Sequence, residues 1–205
     1  HIDTAAVYKN EDGVSRALER IFNEAQLKRG EIFITTKLWP GGLIKLDRVR
    51  DYKDTLKSFE KSLMRLNLEY IDLYLIHSPH GKSKRIEQWK SLMNLKESGK
   101  VKYIGVSNWG INHINELKEN NLPLPDANQI EIHPWSQKPE LVKYLRENDI
   151  DIIAYSSLVP LSSWRHKDGE NSKKTDQMYK IGESENSPFR FCLLYTSDAA
   201  DDLLC

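Results

Sequence analysis

The chain has 205 residues, 39% of them hydrophobic and 29% charged, with Lys+Arg and Asp+Glu both at 30. That length supports one sizeable core, and that mix describes a globular protein rather than a disordered or fibrous one. A net charge of zero gives no electrostatic reason to expect nucleic acid or an anionic membrane as partner, and no apolar run approaches the roughly 20 residues of a membrane-spanning helix.

In chain order, His1 to Thr4 reads as the end of a strand. Val14, Leu18, Ile21, Phe22 and Ala25 then recur at helical spacing, with Gly30 as a stop signal. Glu31 to Trp39 (EIFITTKLW) reads as a buried strand. Tyr52, Leu56, Phe59, Leu63 and Leu66 form a second helical stripe, followed by the strand Ile71 to His77. Trp89, Leu92 and Met93 mark a third helix ended by Gly99. The strand Tyr103 to Asn108 precedes a fourth helix on Ile111, Ile114 and Leu117. Ala127 to His133 is the next strand. Pro139 sits where a first helical residue would, ahead of Leu141, Val142 and Leu145, and Ile150 to Ser157 completes the series.

Strand and helix alternate about every 25 to 35 residues, the length of a βαβ unit, which predicts an α/β fold with a parallel sheet. An open doubly wound sheet and an eight-stranded barrel both satisfy that pattern. No G-x-G-x-x-G follows a strand, which weakens the doubly wound dinucleotide-binding option. Polar residues stand instead at strand after strand's C-terminal end: Asp3, Lys37, His77, Asn108, Gln129 and Tyr155. A β/α barrel assembles its active site there, so the pattern favours the barrel.

Taken singly, these residues have ordinary explanations. A lone Tyr8 reads as surface or core, His77 closing a strand as a core histidine, Lys37 as a snorkelling strand-end lysine, and Gln129 as a loop-edge residue. Their order changes the reading. HIDTAAVY followed by KNE, then TTKLW, DLYLIHSP, GVSNW, NQIEIHP and AYSSL, resembles the aldo-keto reductase family from His1 to about Leu161.

The resemblance implies a (β/α)8 barrel, here incomplete with about six of eight strands. It also implies NADPH-dependent reduction of aldehyde or ketone carbonyls. Tyr8 would donate the proton to the developing alkoxide. Lys37 would stabilise the phenolate and lower the Tyr8 pKa, Asp3 would pair with Lys37, and His77 would hydrogen-bond the carbonyl oxygen. Ser107, Asn108 and Gln129 would hold the nicotinamide carboxamide, Tyr155 would stack on its ring, and Ser156 and Leu158 would belong to the loop over the pyrophosphate. Trp39 and Ser78 would line the substrate pocket, with Trp109 either a pocket wall or packing.

The sequence also departs from the family's pattern. Many members carry tryptophan after the histidine where this chain has Ser78, which opens the pocket and leaves substrate preference undefined. The loop from Val159 to Lys174 is longer and more polar than the common pattern. The family's first strand would lie upstream of His1 and its eighth, with the basic residues that choose NADPH over NADH, beyond Phe191. NADPH is therefore the expected cofactor with NADH as the alternative, and the 205-residue polypeptide alone is expected to fold poorly and turn over nothing. Residues 192–202, CLLYTSDAADD, resemble translated sequencing-adaptor sequence, so the expected division is a partial barrel over 1–191 and a non-native tail over 192–205. Both cysteines, Cys192 and Cys205, fall in that tail; a cysteine-free body suits a reducing compartment, and a cytoplasmic protein, monomeric when intact, is expected.

Two other classes compete. Some barrels of this family serve as cofactor-sensing channel subunits with little turnover; the short, compact loops favour a free enzyme. A metal-dependent hydrolase would need three or four ligands. His77 and His80 in HSPH lack the rest of such a set, so no metal is expected.

Overall fold

The computed structural model describes residues 1–158 apart from Gln26, Lys45 and Pro134. The polar loop 159–174 and the tail from Cys192 lie outside the described residues. The chain divides into two compact units, one of His1–Ala127 and one beginning at Asn128.

The first unit carries four strands, β1 (Ile2–Asp3), β2 (Ile34–Leu38), β3 (Ile71–Ile76) and β4 (Val101–Ser107), each followed by a helix. The helices are α1 (Glu11–Glu24), α2 (Tyr52–Leu66), α3 (Arg85–Glu97) and α4 (Ile111–Glu119). Consecutive strands pair in parallel, with Asp3 opposite Thr35, Lys37 opposite Leu75, and Leu75 opposite Gly105. Every residue of β2 and β3 is buried, as expected of parallel strands covered on both faces. Ile34 packs into an apolar cluster with Leu18 and Ile32, covered by Val14, Ile21 and Phe22. Phe59 of α2 meets Tyr74 edge-on at 5.0 Å between ring centres. Gly105 is required by close approach: a Cβ there would fall 2.4 Å from the Ala127 carbonyl oxygen and 2.8 Å from a Leu75 methyl.

Several boundaries differ from the sequence reading. Strand β2 begins at Ile34, not Glu31, because Arg29–Glu31 close a 3-10 turn. In that turn Glu31 Oε2 accepts from the Lys28 amide at 2.8 Å and Arg29 donates to the Ile32 carbonyl at 2.6 Å. Helix α1 stops at Glu24, so Gly30 lies in this turn and does not end the helix. Strand β4 starts earlier, at Val101, and ends before Asn108, whose φ of 62° takes it out of the strand. Helix α3 buries Gln88 and Ser91 alongside Trp89 and Leu92. These polar groups are tolerated because Gln88 Nε2 donates to the Pro40 and Arg50 carbonyls (3.1 and 2.8 Å) and Ser91 to the Tyr52 carbonyl (3.0 Å).

The second unit is described by itself. Strand β5 (Ala127–Glu131) leads into it, stopping before His133, where His133 and Ser136 exchange backbone bonds at 3.3 and 2.8 Å. Helix α5 (Pro139–Glu147) opens on the expected proline and buries Val142 and Leu145. Strand β6 (Asp151–Tyr155) is shorter than the run Ile150–Ser157, because Ser156 adopts a φ of 59°.

One buried charge ties three strands of the first unit together. Asp72 of β3, with a side chain 4% exposed, accepts from Arg29 at 2.6 Å and the Ile34 amide at 3.0 Å, and pairs with Lys102 of β4 at 2.9 Å. Burial raises its pKa, but the bonds from Lys102, Ile34 and Arg29 prevail and hold it below 3.8. A depressed carboxylate pKa gives stability that is present above the unfolded value and lost as pH falls through the folded one. Asp72→Asn in the full-length protein is expected to cost about 3 kcal/mol at pH 7 and to flatten the loss of stability below pH 4, measured by denaturant unfolding across pH. An equal midpoint for both proteins at pH 7 would contradict this role.

Candidate active site

The C-terminal ends of β1, β2 and β3 converge on one cluster. Asp3 closes β1, and the chain then bends through a 3-10 turn, Ala6–Tyr8, that presents Tyr8 half-exposed. Lys37, one residue before the end of β2, is wholly buried. Its ammonium bonds Asp3 and donates to the Thr4 carbonyl at 2.9 Å. It lies 5.3 Å from the centre of the Tyr8 ring. His77 follows β3 and sets its imidazole edge-on to Tyr8 at 5.6 Å and to Trp39 at 5.8 Å. The structure thus brings Asp3, Tyr8, Lys37, His77 and Trp39 to one place.

Electrostatics differentiate these groups. Burial lowers the Lys37 pKa, while the bond and the charge of Asp3 work against that loss. Burial and the nearby Lys37 charge push His77 down to about 4, with Asp3 opposing, so the imidazole is neutral at pH 7. His77 Nδ1 is buried and has no hydrogen-bond partner among the described residues. Placing the proton on Nε2 leaves a lone pair buried there instead of an N–H, the less costly choice. Burial and the Asp3 charge raise the Tyr8 pKa. The net shift is therefore opposite to the expected lowering, burial and the Asp3 charge prevailing.

Trp39 is held by a partner absent from the sequence reading. Its indole N–H donates to Asp47 at 2.8 Å, in a loop whose ends are clamped by Gln88. Ser78 is buried and its hydroxyl shares a 2.7 Å bond with His80. Trp109 is wholly buried, and its ring meets His113 edge-on at 6.0 Å. Ser107 is buried at the end of β4, and Asn108, turned by its left-handed backbone, donates to the His77 carbonyl at 3.2 Å and to Ser107 Oγ at 3.1 Å. Gln129, Tyr155, Ser156 and Leu158 belong to the second unit, where Gln129 is buried, Tyr155 and Ser156 are partly exposed and Leu158 is exposed. Asp47 and Gln88 carry no sequence signal of their own. Thr4 and Asn10 stand inside the HIDTAAVY and KNE blocks.

The neutral His77 is directly observable. In the full-length protein its imidazole resonances are expected to titrate near pH 4, far below the free value of about 6.5. A midpoint of about 6 or above would show that neither burial nor Lys37 acts on it as described.

Comparison with known proteins accords with this arrangement. The sequence model described as the Aldo/keto reductase family matches residues 1–196. Glyoxal reductase of Bacillus subtilis is 42% identical over 158 residues, which are 77% of this chain and 53% of that protein. The chain spans about half the length of the curated relatives it matches. Among solved structures, an aldo/keto reductase from Brucella melitensis superposes with a TM-score of 0.79 at 35% identity, covering 98% of this chain and 70% of that one. An aldo-keto reductase of Bombyx mori in complex with NADP gives a TM-score of 0.83 at 28% identity, covering 97% and 66%. The fold is an incomplete (β/α)8 barrel, and the chain belongs to the aldo/keto reductase family.

Proposed function

We propose that the protein reduces the carbonyl group of small aldehydes and ketones to alcohols with NADPH, Tyr8 giving the proton. One observation carries the reading: a buried ammonium, paired with Asp3, stands 5.3 Å from the centre of a half-exposed phenol that also meets a neutral imidazole. That set supplies a proton donor, a charge to receive the phenolate and a neutral N–H to orient an oxygen.

The residue types suit a nicotinamide: in the first unit Ser107 and Asn108 offer a hydroxyl and an amide of the kind a carboxamide needs, and the second unit by itself offers the amide of Gln129 and the ring of Tyr155. Ser156 and Leu158 follow Tyr155 in the chain and would belong to the loop over the pyrophosphate. When bound, NADPH supplies the hydride that reaches the carbonyl carbon. His77 donates its Nε2 proton in a hydrogen bond to the carbonyl oxygen and is neutral before and after. Tyr8, held protonated by its raised pKa, transfers its proton to that oxygen as negative charge develops there. The Tyr8 oxygen is left as phenolate beside the Lys37 ammonium, which stabilises it. Trp39 walls the pocket, and Ser78, the small residue after His77, leaves room beside it. The name of the B. subtilis relative points to small dicarbonyls such as glyoxal as first substrates to try.

We place the protein in the cytoplasm as a monomer. The absence of cysteine from residues 1–191 supports that compartment. Among the described residues no helix is long and apolar enough to cross a membrane.

The test is NADPH consumption by the full-length protein with a panel of aldehydes and dicarbonyls. Tyr8→Phe is expected to lower kcat by about 10²- to 10⁴-fold with NADPH affinity unchanged. A variant keeping most of its rate would overturn Tyr8 as donor. Tight NADPH binding without carbonyl-dependent turnover would replace the enzyme with a cofactor sensor.

A further inference from the structure

The loop that carries Tyr8 is short, exposed and built on a left-handed residue. Ala6–Tyr8 form the 3-10 turn, Lys9 follows with a φ of 55°, and Val7, Tyr8, Lys9 and Asn10 are all exposed. Within it the backbone supplies two bonds, Tyr8 N to the Ala5 carbonyl at 3.0 Å and Lys9 N to the Ala6 carbonyl at 3.4 Å. Such an arc is open to movement on its own. Yet the tyrosine has to keep its place over Lys37 for the proton transfer proposed above.

One residue reaches both sides of that gap. Thr4, wholly buried between Asp3 and the loop, accepts the Lys37 ammonium on its carbonyl oxygen at 2.9 Å. Its backbone amide is fixed by the Thr35 carbonyl at 2.9 Å, on the strand that carries Lys37. Its hydroxyl donates to Asn10 Oδ1 at 2.6 Å, across the far end of the loop. The next residue, Glu11, is buried and accepts from Thr36 Oγ1 at 2.8 Å, beside Lys37 in β2. The far end of the Tyr8 loop is therefore referenced twice to the strand that holds the lysine.

We propose that Thr4 is a positioning residue that sets the spacing between Tyr8 and Lys37, its carbonyl holding the ammonium while its hydroxyl latches the Tyr8 loop through Asn10. The inference rests on Tyr8 being the proton donor. Thr4 is buried and its polar groups are engaged by Lys37 and Asn10, so loss of the latch is expected to act on the chemical step and not on binding. Misplacing a reacting group by about 1 Å costs up to about a hundredfold in rate.

The experiment uses the full-length protein with Thr4→Val, Asn10→Ala and the double variant, alongside Tyr8→Phe. Asn10 is exposed, so Asn10→Ala removes the same bond without emptying the core should Thr4→Val fail to fold. Expected is a fall in kcat of about ten- to a hundredfold in each single variant, with carbonyl KM and NADPH affinity within about twofold. The double variant falls no further than either single one, the mark of one shared interaction, and Thr4→Ser recovers most of the lost rate. An independent reading comes from NMR of ¹³C-labelled tyrosine, with the Tyr8 signal assigned by its loss in Tyr8→Phe. The Tyr8 phenol, raised by burial and Asp3, is expected to titrate lower, toward the free value of about 10, once the latch is cut. If Tyr8→Phe abolishes turnover while Asn10→Ala and Thr4→Val leave kcat and the Tyr8 titration unchanged, the latch is wrong and the donor stands. If Tyr8→Phe retains the rate, the donor is wrong and the positioning proposal falls with it.

Discussion

A lysine ammonium buried to zero exposure is the constraint around which the first unit is arranged. An ammonium removed from water without partners costs several kcal/mol even after relaxation. Lys37 therefore needs acceptors, and both come from a single stretch, the Asp3 carboxylate and the Thr4 carbonyl. That stretch can serve only if β1 lies beside β2 in the observed register, Asp3 against Thr35. The demand of one side chain thus fixes the alignment of two strands and the departure point of the loop carrying Tyr8. The same cation adds to burial in holding His77 neutral. Burial of Lys37 is costly for stability and useful for chemistry, as expected where perturbed groups gather.

Division of labour follows from placement on rigid or mobile parts. Lys37 and His77 stand at ends of buried strands, where backbone bonds on both sides limit movement. Tyr8 stands on a loop, with half its surface open. A proton donor that meets successive substrates gains from exposure, but exposure removes the packing that would hold it. The structure compensates with polar ties at the loop's far end, Thr4 to Asn10 and Glu11 to Thr36, instead of apolar contacts. Trp39 repeats the solution: it borders the site, remains partly exposed, and has its indole fixed by Asp47 in a loop clamped by Gln88.

Much of this is legible in the sequence, for identifiable reasons. Strands β2 and β3 appear as apolar runs because both their faces are covered, and α1, α2, α4 and α5 appear as stripes because each has one wet face. Helix α3 breaks the rule because Gln88 and Ser91 are buried against carbonyls of residues 40, 50 and 52, partners about 40 positions away that periodicity cannot register. The sequence pattern makes strand β2 three residues too long at its start because Glu31–Phe33 have strand-like composition, whereas local side-chain bonds from Glu31 and Arg29 close a turn first. The polar residues at strand ends are visible one by one, and only their shared order carries meaning. What stays hidden are the groups whose role is to hold others: Thr4, Asn10, Asp47 and Gln88. Nothing in a threonine or an aspartate states its partner until the chain is folded.

Ser78 and Trp109 show how the pocket's character emerges from such partners rather than from residue type. Trp109 has the bulk to form a wall, but it is placed in the interior against His113. Ser78 is small and buried, and its hydroxyl shares a bond with His80, so the position after His77 presents no aromatic face. Of the three side chains that the resemblance implies for the pocket, Trp39 is partly exposed, and Asp47 anchors its indole. A pocket with one fixed aromatic wall and a small residue beside it selects weakly for large apolar groups, because the contact area that would reward them is missing. Under the proposed function, selection would then fall on what the polar cluster can recognise, the carbonyl itself. Small carbonyls would gain most from such a site under that function, since the greater part of their surface is the group that His77 and Tyr8 would address.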